Sequence, residues 1–139
     1  NSDIYSSVLY DKKLIIVVCD NGGHMVINRL QLAKGGKEYL CNLKEARATN
    51  LQFVDFEAHA KSMGANGETV TSTSELEAAF KRAKKSEKTY VISIKTHGYE
   101  WLDGTAFWES PTLEVHSTAE NKQAYEEFLA GKKDQRKGV

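Results

Sequence analysis

The sequence predicts an α/β fold: a parallel sheet with helices on both faces, in three layers. Three observations lead there. First, Leu14-Ile15-Ile16-Val17-Val18-Cys19 and Tyr90-Val91-Ile92-Ser93-Ile94 are short, nearly continuous apolar runs rich in β-branched residues. Runs that do not alternate with polar side chains suit strands covered on both faces, as in parallel sheets. Second, stretches with helical spacing of apolar residues separate them, the alternation expected of α/β winding. Third, each run ends in polar turn-forming residues, Asp20-Asn21-Gly22-Gly23 and Lys95-Thr96-His97-Gly98. Ligands of open α/β sheets bind just outside such carboxyl ends.

In chain order, Asn1 or Ser2 caps a first helix running to Tyr10, with Asp3 in its first turn and Ile4, Val8 and Tyr5 as its apolar stripe. Asp11-Lys12-Lys13 breaks it, and the strand Leu14–Cys19 follows. His24 to Leu32, with Met25, Val26, Ile27 and Leu30 apolar, reads as a short helix. Residues 33–52 have no clean period; an unstructured stretch of that length is unusual unless it is functional or mobile. Asp55 caps a helix to Met63 that Gly64 ends, and His59 within it reads as a core-edge residue rather than a ligand. Gly67–Val70 is a short edge strand. Ser72 and Glu75 have capping-box spacing ahead of a helix to about Lys85 with Leu76, Ala79, Phe80 and Ala83 inward. Its Lys81-Arg82 and Lys84-Lys85 are read as a solvated face, since cations are stabilising in a last helical turn.

Thr89–Lys95 is the next strand, joined to the others by right-handed crossovers. His97 after it could reach a site or simply begin a tail. From Tyr99 the chain is aromatic-rich (Tyr99, Trp101, Phe107, Trp108) and interrupted by Gly104 and Pro111; aromatics outside a periodic element pack on some other surface. Ser117 or Thr118 caps a last helix carrying Tyr125, Phe128 and Leu129, and residues 131–139 are expected to fray. The division expected is 1–98 for the sheet domain and 99–139 for the tail and final helix.

Composition narrows the partners. The chain has 139 residues, enough for one core, and its net charge is zero, which argues against nucleic acid and anionic membrane surfaces. No apolar stretch approaches the roughly 20 residues of a membrane span, and no signal peptide is visible. Cys19 and Cys41 are the only cysteines. Cys19 is expected to be reduced and buried in its strand, in keeping with a cytoplasmic setting. There is no internal repeat, CxxC pair, histidine cluster or Ser-His-Asp pattern.

The turn after the first strand is the chemically specific feature. An Asn side-chain oxygen and a glycine carbonyl are hard neutral donors of the kind Mg²⁺ accepts beside phosphate oxygens and water. Asp20-Asn21-Gly22-Gly23 after an apolar strand resembles the second half of the thiamine-diphosphate (ThDP) motif, a Gly-Asp-Gly followed after a spacer by Asn-Asn or Asp-Asn. With Ile27-Asn28-Arg29-Leu30-Gln31 and Val54-Asp55-Phe56-Glu57-Ala58-His59-Ala60-Lys61-Ser62-Met63-Gly64-Ala65, the resemblance extends over nearly the whole chain. It points to the trihydroxycyclohexanedione hydrolase branch of that family, which belongs to myo-inositol catabolism.

The resemblance implies the C-terminal half of a ThDP diphosphate-binding domain, with the strand Thr89–Lys95 between the other two. It implies thiamine diphosphate and Mg²⁺ as cofactors. Asn21 would bind the metal through its side chain and Gly23 through its carbonyl; Asp20 would hold the turn. His24 and Met25 complete the cofactor-binding group, although the family usually has an aromatic and then a small residue there; His24 either touches phosphate or substrate or is a surface histidine filling the aromatic slot. The Gly-Asp-Gly half is not in the chain, so the sequence is expected to be a C-terminal fragment, inactive alone and lacking the N-terminal domains. The family's activating glutamate lies in another domain, so no catalytic residue is assigned. At full length a homo-oligomer acting on a cyclic polyol-derived dione is implied. The alternatives are another ThDP decarboxylase or synthase, such as an acetolactate-synthase relative, and a non-enzymatic α/β binding module whose Asp-Asn-Gly-Gly is only a turn.

Overall fold

In a computed structural model, residues 1–100 and 114–134 are described. They divide into two compact units: residues 1–22 with 48–97, and residues 23–47 with those described from Gly98 onward.

The first unit holds the sheet. Helix α1 (Ser2–Leu9) leads into strand β1 (Ile15–Asp20); helix α3 (Phe56–Ser62), strand β2 (Asn66–Val70), helix α4 (Thr73–Lys85) and strand β3 (Tyr90–Lys95) follow. The second unit holds helix α2 (Met25–Ala33), which follows β1 in the sequence, and helix α5 (Ala119–Lys133), the last element in chain order. The three strands are parallel in the order β1-β3-β2, so β3 is central, as the family resemblance implies.

Alternation along β3 sorts the core into two layers. Ile92 joins Val70, Ala79 and Ala83 on the α4 face, with Ile15, Leu76, Tyr90 and Ile94 packed around them. Val91 joins Ala60 and Ala65 on the other face, with Ile4, Val8, Ile16 and Val18 from α1 and β1. Helices thus cover both faces of the sheet in three layers. Where β3 begins, the Ser7 hydroxyl of α1 and the Thr89 hydroxyl share a buried hydrogen bond of 2.7 Å, and the Leu14 N–H donates to Thr89 Oγ1 at 3.0 Å. Those groups close the chain end of the core without leaving a buried donor unpaired.

Three caps follow the sequence, whereas Asn1 holds the N-cap position of α1 without a side-chain capping hydrogen bond. Asp55 accepts from the Ala58 N–H, Ser72 from Glu75 and Thr118 from Asn121. Gly64 takes φ +84 after α3, a left-handed conformation that glycine adopts without a Cβ clash. The capping box of α4 is displaced by one residue: Glu75 Oε2 accepts from the backbone and hydroxyl of Thr71, one residue before the Ser72 cap.

Several expectations are corrected. Phe80, expected inward on α4, is exposed, off the stripe of Leu76, Ala79 and Ala83. β1 is covered only in part on its α4 face, and among the described residues it is an edge strand, paired with β3 alone. Core packing on the α4 face reaches β1 at Ile15, and Val17, the next residue on that face, remains 39% exposed. Cys19 is therefore exposed rather than buried, as a free thiol. Tyr5 is also exposed, off the stripe formed by Ile4 and Val8. Finally, α5 continues through Gly131 to Lys133 instead of fraying from Gly131, because a single interior glycine costs a helix only about 1 kcal/mol. Trp101, Gly104, Phe107, Trp108 and Pro111 of the aromatic-rich tail lie outside the described residues. Among the described residues, no helix is long and apolar enough to cross a membrane.

Candidate functional site

Parallel register carries β1 and β3 to the same edge of the sheet, with Asp20 opposite Lys95. The ladder is extended there by the Thr96 N–H, which donates to the Asp20 carbonyl at 2.9 Å. The Asp20 carboxylate is engaged at both oxygens. Oδ1 accepts from the Gly22 N–H at 3.0 Å, and Oδ2 takes a charge-assisted hydrogen bond from the Lys95 ammonium. The first of these closes an Asx turn, in which an Asp side chain stands in for a backbone acceptor two residues ahead of its donor. The Lys95 hydrogen bond, above all, holds the Asp20 carboxyl below its ordinary range; partial burial opposes it, and the Gly22 N–H assists.

Chain direction after the strand depends on the two glycines. Gly22 has φ +77, and a Cβ there would meet nothing within 4 Å. The space beside the turn is open, and the conformation is one that glycine adopts readily. Asn21, between the Asp anchor and Gly22, is half-buried. His97 is exposed beyond the end of β3.

The second unit begins at Gly23, which forms an antiparallel bridge with Asn42. Beside it the His24 N–H donates to the Cys41 carbonyl at 2.7 Å. A Cβ on Gly23 would overlap that same Cys41 carbonyl oxygen and stand 3.1 Å from Asn42 Cα. His24 is exposed at the N-cap of α2, and its side chain makes no capping hydrogen bond. Met25 is buried, and Asn28 one turn on is buried with its Nδ2 donating to Glu38 Oε1 at 2.8 Å. The segment with no readable period is therefore structural, since Cys41 and Asn42 hold Gly23 and His24 through it, ahead of a short 3-10 turn at Leu43–Glu45.

The oxygens of the turn are an Asn amide, backbone carbonyls and a carboxylate held by Gly22 and Lys95. Among the described residues, no three His, Cys, Asp or Glu side chains gather as a metal site. Hard neutral oxygens with little protein charge suit a cation that completes its shell with phosphate and water, as Mg²⁺ does. The sequence alone does not assign Lys95 as the partner of Asp20, or Cys41 and Asn42 as partners of His24 and Gly23. Lys95 left one trace, a cation ending the strand that pairs with a strand ending in an acid; the other two left none.

Residues 1–94 match the family model of the thiamine pyrophosphate enzyme C-terminal TPP-binding domain. The chain belongs to this family. Thiamine pyrophosphate is another name for ThDP, so the cofactor class expected of the Asp20–Gly23 turn is that of the family. The match takes in α1 through nearly all of β3, and with it Asp20, Asn21, Gly23, His24 and Met25. Three parallel strands in an open sheet agree with the parallel α/β domain of this TPP-binding family. The chain is also 33% identical over 128 residues to a 3D-(3,5/4)-trihydroxycyclohexane-1,2-dione hydrolase of Halalkalibacterium halodurans, an alignment covering 91% of the chain and 20% of the relative. The relative of the same name in Listeria monocytogenes is 31% identical over 137 residues, with 98% and 21% covered. That of Lacticaseibacillus casei is 29% identical over 137 residues, with 94% and 21% covered. The chain thus spans about a fifth of the length of these relatives.

Proposed function

We propose that the chain is the cofactor-diphosphate and Mg²⁺ end of a ThDP-dependent enzyme that opens the ring of trihydroxycyclohexane-1,2-dione by hydrolysis of a C–C bond, giving a deoxyglucuronic acid. The observation that supports it is the glycine-bearing turn at Asp20–Gly23, set at the carboxyl edge of a parallel sheet inside the matched TPP-binding span. The relatives named for this reaction align over most of the chain.

In this reading Asn21 offers its side-chain oxygen and Gly23 its carbonyl to Mg²⁺. Asp20 spends its charge on the turn rather than on the metal. His24 and Met25 start the helix beside the cofactor, one exposed and one packed. Bound ThDP supplies a nucleophilic carbon for attack on a carbonyl and a sink for the electrons that follow. The resemblance assigns the activating glutamate to another domain, and the chain spans about a fifth of the relatives' length, so the chain alone is proposed to have no turnover and to bind ThDP weakly. The whole enzyme is proposed to be a cytoplasmic homo-oligomer.

The test is an assay of the native polypeptide carrying this chain, on the cyclic dione and on pyruvate, with and without Mg²⁺. Ring opening of the dione that requires both ThDP and Mg²⁺ is expected. Turnover of pyruvate in its place would move the protein to the acetolactate-synthase-like branch.

A further inference from the structure

Asp20 presents a physical difficulty for the proposed site. A carboxylate stands one residue from Asn21, beside the place where a polyanionic diphosphate and its cation are proposed to sit. Unpaired, that charge would repel the diphosphate, and it would compete with Asn21 for the metal. The side chain on the neighbouring strand removes both problems.

We propose that Lys95 is a positioning residue for the turn: by occupying Asp20 Oδ2 it leaves Oδ1 to the Gly22 N–H and keeps the carboxylate off the metal, so that Asn21 is what the turn presents. This rests on the reading of Asn21 and Gly23 given above. The geometry supports it in three ways. Lys95 is directly opposite Asp20 in the parallel register, so the ammonium has a short path to the carboxylate. Its Nζ also lies 5.5 Å from the centre of the Phe53 ring, a second contact that holds the ammonium in place. And the two Asp20 oxygens are divided between one backbone donor and one cation, which fixes the carboxylate's rotation. A surface ion pair with a lysine side chain 62% exposed adds little to global stability; its effect is local and electrostatic.

The experiment uses the native polypeptide, with Lys95→Met, Lys95→Arg and Asp20→Asn variants and two readouts. The first is amide hydrogen exchange without cofactor, read by mass spectrometry on peptides spanning Asp20 to Gly23. Lys95→Met and Asp20→Asn are expected to speed exchange there roughly three- to tenfold, as for a charge-assisted bond discounted for exposure, with Lys95→Arg close to wild type. The second is calorimetric binding of ThDP with Mg²⁺, which Lys95→Met is expected to weaken by a similar factor and Lys95→Arg to restore. Exchange unchanged in Lys95→Met, or binding lost equally in Lys95→Arg, overturns the positioning role. A wild-type protein that binds no ThDP with Mg²⁺ overturns the cofactor reading and with it Lys95's role toward the cofactor, an outcome told apart by the exchange data.

Discussion

The Cys41 carbonyl oxygen occupies the place that a Cβ on Gly23 would need. The same oxygen accepts from the His24 N–H, so it cannot retreat without breaking the link that starts α2. Gly23 is thus required by a neighbouring backbone, and its φ is not in the left-handed region. Gly22, one residue earlier, has the opposite character: φ is +77 and the space beside it is open.

Substitution at the two positions should therefore differ in size and kind. Gly23→Ala overpacks against backbone and should cost about 1–3 kcal/mol. Gly22→Ala meets only the left-handed conformational penalty, about 1 kcal/mol. Chemical denaturation of both variants checks the ranking. A Gly22→Ala variant less stable than Gly23→Ala would contradict it.

Thr89 joins α1, β1 and β3 through one hydroxyl. Thr89→Val keeps the shape but leaves the Leu14 N–H and the Ser7 hydroxyl without that partner, and should destabilise by about 1–3 kcal/mol. Adding Ser7→Ala should cost less than it does alone, because the two residues share the bond. Denaturant midpoints for the two single variants and the double variant measure that coupling.

Glu68 on β2 accepts from Arg82 at Oε2 (2.6 Å) and Oε1 (3.2 Å), and from the Tyr90 hydroxyl at 2.8 Å. The Arg82 hydrogen bond chiefly, with Tyr90 assisting against desolvation, lowers its pKa. A carboxyl lowered in the folded state binds its proton more readily when unfolded, so its contribution is complete above the unfolded value of about 4.3 and is lost as pH falls through the folded value. The melting temperature should drop on acidification below that point, and Glu68→Gln should flatten that part of the profile. An unchanged acid limb in the variant would remove Glu68 from the account.

The parts of the fold legible in the sequence are those whose cause is local. The strand runs, the Asp55, Ser72 and Thr118 caps and the stop at Gly64 each depend on residues within a turn or two, and β3's central place followed from the family resemblance. What the sequence hid depends on distant chain. Cys41 and Asn42 sit in a stretch without period, and nothing near them announces Gly23 as a partner. Lys95 meets Asp20 only because a parallel register brings together residues 75 positions apart. The exposure of Val17 and Cys19 was misread for a related reason: an apolar run signals a strand, but its burial depends on which neighbours cover it.

Asn21 bears the central claim most directly. Calorimetric titration of the native polypeptide with ThDP and Mg²⁺ should show that Asn21→Leu weakens binding by at least about tenfold, as loss of a metal-site group does. Asn21→Asp, which keeps an oxygen donor, should retain most of the Mg²⁺ dependence. Asn21→Leu binding ThDP with Mg²⁺ as tightly as wild type would contradict the assignment of this turn to the metal.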